Sequence, residues 1–275
     1  VSTAADAFAF VKAEGLGNDF LIVDARADDL GEHVASLQPR AAALCDRRTG
    51  VGGDGLLLVG RPTLPGSIAT MRVLNADGSR PQMCGNGLRC VALWLAEGGA
   101  PRTFVVDTDA GPRRCTVTTG NPAEVDVDMG PAHSGRGGER PAADGHGLAQ
   151  VSMGNPHAIA FVAGDPEALA RRLGPGLERD PTFPEGTNVE FARIDGDVVT
   201  LWVWERGCGI TAACGTGACA TVAAAVAQGR LDAERPTRVR LPGGDLWITV
   251  PADPRRGVQM RGPARLVFRG QWPAV

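Results

Sequence analysis

The sequence predicts a mixed α+β fold built as two similar halves, each a set of strands around one buried helix. Three observations carry this. Short apolar runs of strand type dominate on both sides of a glycine- and proline-rich stretch at 130–147. Two helix candidates, "GLRCVALWLAEGG" (87–99) and "GACATVAAAVAQG" (217–229), are apolar or small on nearly every face, which belongs to a buried helix and not to one lying on a surface. Each is opened by the same turn, "MCGNGLRC" at 83–90 and "AACGTGACAT" at 212–221, with a cysteine directly before Gly-x-Gly.

Taken in order, the strand candidates of the first half are "FLIVD" (20–24), "LLLV" (56–59), "MRVLN" (71–75), "TFVVD" (103–107), "RCTVTT" (114–119) and "EVDVDM" (124–129). Those of the second are "AIAFV" (158–162), "NVEFARI" (188–194), "VVTLWVW" (198–204), "LWITV" (246–250) and "ARLVF" (264–268). Several alternate apolar with polar residues, as half-buried strands do. Two further helices are expected at "QPRAAALCDRR" (38–48) and "DPEALARRL" (165–173). Each has proline near its start, where the missing N–H costs little. In the two buried helices alanine and leucine favour helix over strand, and glycine stands at each C-terminus as a terminator. The stretch 130–147 reads as a connector. On either side of it the features repeat. "GNDF" (17–20) precedes a strand and later Cys84, and "GNPHAIAFV" (154–162) opens a strand and is followed by Cys214. This order predicts an internal duplication of roughly half the chain. With 38 glycines a Gly-Asn pair recurs by chance, so the paired Cys-Gly-x-Gly helix starts carry most of that prediction.

A chain of 275 residues is one large domain or two of ordinary size. A formal charge of −3 without any basic tract argues against nucleic acid as a partner. No apolar run reaches bilayer-spanning length. The segment "VSTAADAFAFVKAEG" lacks the basic start and apolar centre of a secretory signal, so the chain is expected to be cytoplasmic. Seven cysteines, at 45, 84, 90, 115, 208, 214 and 219, form no CxxC, and their odd number argues against a disulfide framework.

A cysteine just ahead of a helix sits at the positive end of the macrodipole, among outward-pointing N–H groups. That setting lowers a thiol pKa from about 8.5 toward neutrality, and the glycines let the backbone approach an anion closely. Two such units, one per half, suit a site between the halves with a thiol on each side. One thiol removes a proton from carbon and the other returns a proton to the opposite face, inverting a stereocentre. Helix N-termini aimed at a carboxylate would stabilise the charge that develops as the carbon acid ionises. Pyridoxal phosphate is the usual alternative electron sink, but it needs a Schiff-base lysine. Lys12 is the sole lysine and no motif surrounds it, so chemistry without cofactor or metal is expected. Cys45, Cys90, Cys115 and Cys219 read as small buried hydrophobes, and Cys208 as a bystander near the site. A zinc site on Cys84, Cys90, Cys208 and Cys214 would not have the spacing of the common zinc knuckles.

Polar residues stand at several strand ends: Asn18, Asn75, Asn155, His157, Asn188, Glu205 and Arg206. Arginine suits bidentate carboxylate binding. Glutamate and asparagine suit an ammonium group and finer positioning. His157 is a candidate to accept or orient a thiol proton. Asp54, Asp77 and Gly78 read as turn chemistry.

The ordered set "GLGNDF", "RTGVGGDG", "NADGS", "MCGNGLRC", "MGNPHA", "GTNVEF", "WERG" and "ACGTGACA" resembles the diaminopimelate epimerase family, from about residue 12 to the closing "GPARLVF". The resemblance implies two pseudo-symmetric domains, each a curved, mostly antiparallel sheet around its central helix, with the active site in the cleft between them. It also implies a last strand that returns to the first domain, so the halves are drawn at 1–129 plus 263–275 and at 130–262. Cys84 and Cys214 match the family's acid/base thiols. Gly85, Asn86, Gly215 and Thr216 match positions whose backbone holds the reacting carboxylate. Asn18, Asn75, Asn155, Asn188, Glu205 and Arg206 match residues that grip the substrate's amino and carboxylate groups, and His157 and Glu205 also match polar partners of the thiols. The implied reaction interconverts L,L- and meso-2,6-diaminopimelate for lysine and cell-wall precursor synthesis. It needs a small-molecule substrate, with neither nucleic acid nor membrane, and it leaves a homodimer open. Gly55 stands where many members have glutamine, and Ile210 where glutamate is frequent. The competing readings are a proline or hydroxyproline racemase and, in another class, a thiol redox or zinc-binding protein.

Overall fold

The computed structural model describes residues 7–134, 140–141, 145 and 147–273, so part of the 130–147 connector lies outside the described residues. The chain divides into two compact units, Val1–Val127 with Pro263–Val275, and Asp128–Gly262. The first carries β1 (Phe8–Gly15), β2 (Asn18–Asp24), α1 (Leu30–Leu37), a 3-10 turn (Gln38–Arg40), α2 (Ala41–Cys45), β3 (Gly55–Gly60), β4 (Ala69–Asn75), α3 (Gly85–Glu97), β5 (Thr103–Thr108), β6 (Gly111–Thr118) and β7 (Ala123–Asp128). Then follow β8 (His133–Ser134), β9 (Arg140–Pro141), β10 (Gly147–Ser152), β11 (Pro156–Phe161), α4 (Pro166–Glu178), β12 (Asn188–Asp195), β13 (Val198–Glu205), β14 (Gly209–Ile210), α5 (Gly215–Ala227), β15 (Thr237–Leu241), β16 (Gly244–Thr249) and β17 (Gln259–Trp272). The start of β17 pairs with β16, Ile248 opposite Met260. Its end lies in the first unit and pairs with β1, Lys12 opposite Phe268.

The duplication read from the motifs appears in the pairing. From β1 to β7 successive strands pair antiparallel, parallel, antiparallel, parallel, antiparallel and antiparallel. Strands β10, β11, β12, β13, β15, β16 and β17 repeat that series. Each parallel pair needs a crossover. Helices α1 and α2 supply the first crossover of unit one and α4 that of unit two, while α3 and α5 supply the second in each.

Helix α3 is buried from Gly85 through Leu93 and touches β1, β2, β3, β4 and β6. Helix α5 is buried almost as fully and touches β10, β11, β12 and β16. Strands from both ends of each series reach the helix, so each sheet curves round its own. The outer face of the first sheet is closed by α1 and α2, whose Val34, Leu37, Ala41 and Leu44 cluster with Leu56 and Leu58. Leu57, pointing the other way, meets α3 at Gly87. With both faces covered, β3 reads as a continuous apolar run.

Several elements escaped the sequence reading. Helix α1 was not expected; it is capped by Asp29, whose side chain accepts from Glu32 N–H at 2.9 Å. The single helix expected at 38–48 is instead a 3-10 turn and the short α2. It ends at Cys45 because Asp46 turns extended and accepts from the N–H groups of Arg48 and Thr49. Helix α4 continues past residue 173 to Glu178. At Gly174 a Cβ would stand 2.6 Å from the Trp204 side chain, so this glycine is there for helix-to-sheet contact. Gly174→Leu is expected to cost about 1–3 kcal/mol through overpacking, read as a lower urea midpoint; an unchanged midpoint would refute the contact.

Candidate active site

Both thiols sit in the same local geometry. Cys84 is the N-cap of α3, with φ −136° and ψ 111°. Cys214 is the N-cap of α5, with φ −117° and ψ 105°. Each sulfur accepts the N–H of the third residue on, Gly87 or Gly217, at 3.4 Å. Sulfur thus occupies the place usually taken by a serine or aspartate oxygen, and the first N–H groups of each helix lie beside it. Neither Gly87 nor Gly217 has a positive φ; both are required by close approach. A Cβ at Gly87 would come within 2.7 Å of Leu57, and one at Gly217 within 2.8 Å of Glu190 Oε1.

In the first unit Asn18 and Asn86 come together near Cys84. Asn86 Nδ2 donates to Asn18 Oδ1 at 3.3 Å, and Asn86 Oδ1 accepts from Arg89, which is wholly buried, at 3.1 Å. Arg89 also donates to the Pro263 carbonyl at 3.2 Å, tying the start of α3 to the returning strand. Asn18 donates to Asp54 Oδ2 at 2.5 Å, and the same oxygen accepts Asp19 N–H at 3.0 Å. Asp54, read from sequence as a turn residue, therefore orients Asn18, and Arg47 holds its second oxygen at 2.8 Å. Asn75 is held within its own turn, donating to Ser79 Oγ at 2.9 Å. Opposite it lies Gly55, where a Cβ would stand 2.4 Å from the Leu74 carbonyl oxygen. In this chain the backbone at Gly55 leaves no room for a side chain. Lys12, the only lysine, donates to the Gly52 carbonyl and lies 2.5 Å from Asp19.

In the second unit a denser polar cluster surrounds Cys214. Thr216 Oγ1 lies 3.5 Å from the sulfur and accepts from Asn155 Nδ2 at 3.3 Å. Asn155 Oδ1 lies 3.0 Å from His157 Nε2, and His157 Nδ1 lies 2.7 Å from Glu190 Oε1. Glu205 accepts from Thr211 and is hydrogen-bonded to Cys214. Asn188 and Arg206 form a separate pair beside this cluster. Asn188 Oδ1 accepts Arg206 N–H at 3.0 Å, and the exposed Arg206 guanidinium reaches the Glu185 carbonyl at 3.0 Å. The turn that carries Arg206 is clamped by Glu178, which accepts from Trp204 Nε1 at 2.7 Å and from Gly207 N–H at 2.8 Å. Ile210, the other departure from the family pattern, pairs opposite Trp204 and packs against the apolar cluster under α4.

Burial pushes Cys214 well above the ordinary thiol range, and the Glu205 and Glu190 carboxylates push the same way. Thr216 and the Gly217 N–H work against this without prevailing. The expectation that a helix start lowers this thiol is therefore corrected. A helix start contributes about 1 kcal/mol, less than one pKa unit, and burial beside two carboxylates exceeds it. Glu205 is raised too, first by burial and then by Glu190, against its bonds to Thr211 and Cys214. Cys84 is only half-buried. Burial carries the Cys45 thiol to about 11 and those of Cys90 and Cys115 to about 12, which makes them inert at neutral pH. Cys208 is exposed in the turn after Glu205, where its N–H donates to the Glu205 carbonyl at 3.1 Å. Among the described residues no three His, Cys, Asp or Glu side chains converge on a possible metal position, and no helix is long and apolar enough to cross a membrane.

The fold is that of known racemases and epimerases. It matches a probable proline racemase from Agrobacterium radiobacter K84 with a TM-score of 0.74 and 17% identity, over 98% of this chain and 93% of that one. A hydroxyproline epimerase from Agrobacterium vitis matches with a TM-score of 0.72 and 18% identity, over 96% and 92%. The chain belongs to the diaminopimelate epimerase family: the family's model, described as diaminopimelate epimerase, matches residues 10–134 and 149–267. The diaminopimelate epimerase of Heliobacterium modesticaldum is 43% identical over 286 residues, covering 96% of this chain and 99% of that protein. That of Geobacillus kaustophilus is 41% identical over 283 residues, covering 96% of each.

Residues of these networks that the site read from sequence did not include are Asp54, Arg89, Glu178 and Glu190, with Arg47 and Thr211 beside them. Each of the first four acts through another side chain, and all but Arg89 lie away from the Cys-Gly-x-Gly turns. Glu190 stands within the quoted "GTNVEF" and Arg89 within "MCGNGLRC", so those two motifs carried the signal that could have found them.

Proposed function

We propose that the chain is an isomerase, a diaminopimelate epimerase, interconverting L,L- and meso-2,6-diaminopimelate at one α-carbon without a cofactor. The observation that carries this reading is the pair of thiol-capped buried helices, one in each unit, in a chain of this family. In each direction one cysteine, as thiolate, takes the α-proton. The electron pair left on carbon is delocalised into the adjacent carboxylate. The other cysteine, as thiol, gives its proton to the opposite face. The two sulfurs exchange protonation states, so the reverse reaction runs through the same groups with roles swapped.

The N–H groups at Gly85, Asn86, Gly215 and Thr216 suit the reacting carboxylate, where negative charge builds up as the carbon ionises. Arg206 suits a carboxylate at the distal, non-reacting centre. Asn18, Asn75, Asn155, Asn188 and Glu205 are assigned to the substrate's ammonium and carboxylate groups, and His157 with Glu205 to the protonation of the thiols. The substrate is a free small molecule, and the reaction serves lysine and cell-wall precursor synthesis in the cytoplasm.

The test is turnover in D2O with each isomer separately. Deuterium is expected at one α-carbon of the product, at a rate independent of added pyridoxal phosphate. Interconversion without solvent deuterium in the product would overturn the two-base reading. The fold's likeness to proline racemases makes L-proline the control substrate, and no racemisation of it is expected.

A further inference from the structure

Glu190 is wholly buried on β12, against the helix that Cys214 opens, and none of the roles above employs it. Its Oε1 contacts His157 Nδ1, and neither side chain has exposed surface. From the far side of the ring the contacts continue through Asn155 and Thr216 to the sulfur of Cys214. A second approach is closer still. A Cβ at Gly217 would stand 2.8 Å from Glu190 Oε1 and 3.2 Å from Cys214 Sγ, so carboxylate and sulfur flank a glycine that has only hydrogen between them. Glu190 Oε2 is buried and meets no hydrogen-bond partner among the described residues.

The duplication supplies an internal control. By the matching pairing series β12 corresponds to β3, and Gly217 of α5 to Gly87 of α3. The side chain that Gly87 meets is Leu57. An apolar residue therefore satisfies the packing at this place in the fold. A carboxylate there costs desolvation energy that leucine does not, so packing alone does not account for Glu190.

We propose that Glu190 is a positioning residue for the second thiol: it fixes the His157 ring and, through Asn155 and Thr216, the placement of the Cys214 sulfur. Its negative charge also favours the protonated form of that thiol in the substrate-free protein. The charged or titratable groups facing Cys214 are Glu205 on β13, Glu190 on β12 and His157 on β11. The inference rests on the acid/base role proposed for Cys214.

The test is the rate of Cys214 alkylation by iodoacetamide against pH, read by mass spectrometry of its peptide, together with steady-state kinetics. Glu190→Gln keeps the shape and an acceptor for His157 Nδ1–H while removing the charge. The alkylation midpoint is expected to fall by about one pH unit. Glu190→Asp keeps the charge but withdraws it from the ring; its midpoint should stay near that of the wild type while kcat falls about tenfold or more, with KM little changed. Glu190→Leu, which copies Leu57, leaves the buried His157 Nδ1 without its acceptor and should lower the urea midpoint as well as kcat. A Glu190→Gln protein with the wild-type midpoint would overturn the charge role. If that variant does not fold, a Glu190→Asp protein with wild-type kcat overturns the positioning role instead. Alkylation needs no substrate, so a wild-type chain that fails to epimerise diaminopimelate would count against the proposed function and leave the charge test readable.

Discussion

Cys84→Ala and Cys214→Ala are each expected to lose about a thousandfold or more in kcat on both diaminopimelate isomers, since positioned acid or base groups contribute about 10² to 10⁴ each. The loss should be the same in kind for either site, because every turnover needs one sulfur to take a proton and the other to give one. Folding should survive. Each sulfur caps its helix through a long 3.4 Å contact, and replacing even a good N-cap by alanine costs about 1 kcal/mol. Serine at either position supplies a better cap than cysteine but a hydroxyl far too weakly acidic to replace a thiolate. Cys84→Ser and Cys214→Ser should therefore be stable proteins without epimerase turnover. Each retains one working thiol, so each should still exchange the α-proton of one isomer with D2O, and the two variants should differ in which isomer exchanges. Either alanine variant turning over at the wild-type rate would remove its cysteine from the mechanism.

What the sequence disclosed is what short segments determine. The Cys-Gly-x-Gly turns carry their own caps, and the helices after them are apolar on all sides, so both the buried helices and the thiols at their mouths could be read directly. The series of strands was legible for the same reason at most bulky runs, as at "LLLV", though β1, "FAFVKAEG", was not among the strand candidates. It failed also where a strand is thin in apolar residues: β15, "TRVRL", has only Val239 and Leu241 alternating with its arginines, and β10 follows directly on the connector. Helix α1 offers few apolar residues, chiefly Leu30, Val34 and Leu37, too sparse to stand out beside the helices that follow.

The site was half legible for a related reason. Asn18, Asn155 and Asn188 announce themselves at strand starts, but their holders arrive through long-range pairing. Glu190 reaches His157 only because β11 and β12 run parallel with His157 opposite Asn188. Asp54 reaches Asn18 only because β2 and β3 run parallel with Phe20 opposite Gly55. Titration of Cys214 was misread on the same account. The helix dipole is a local property visible in sequence, whereas the two carboxylates that outweigh it come from β12 and β13.

Asp19→Asn is expected to destabilise the protein by about 3 kcal/mol, because it strands Lys12. The Lys12 ammonium is 7% exposed as a residue and lies 2.5 Å from Asp19 Oδ2, while Arg47 takes Asp19 Oδ1 at 2.6 Å. Burial alone would raise this carboxyl; the hydrogen bonds and charges of Arg47 and Lys12 overcome it and hold the group at about 2, against an ordinary 3.8. A carboxyl depressed in the folded state adds stability that is fully present above its unfolded value. The contribution, about 2 kcal/mol, is lost as pH falls from near 3.8 through about 2. Wild-type stability should accordingly decline across that window, and the Asp19→Asn protein should decline less steeply, from a lower starting point. Lys12→Met combined with Asp19→Asn should recover most of the loss, since removing a buried pair together is far milder than removing one partner. Urea midpoints of the wild type, both single variants and the double variant give the coupling directly, and a coupling of zero would refute the pair. The consequence extends to the site. Asp19 N–H and Asn18 Nδ2 share one oxygen of Asp54, and Arg47 bridges Asp54 to Asp19. Loosening the pair therefore loosens the asparagine assigned to substrate, and KM for diaminopimelate should rise in Asp19→Asn even at temperatures where the protein remains folded.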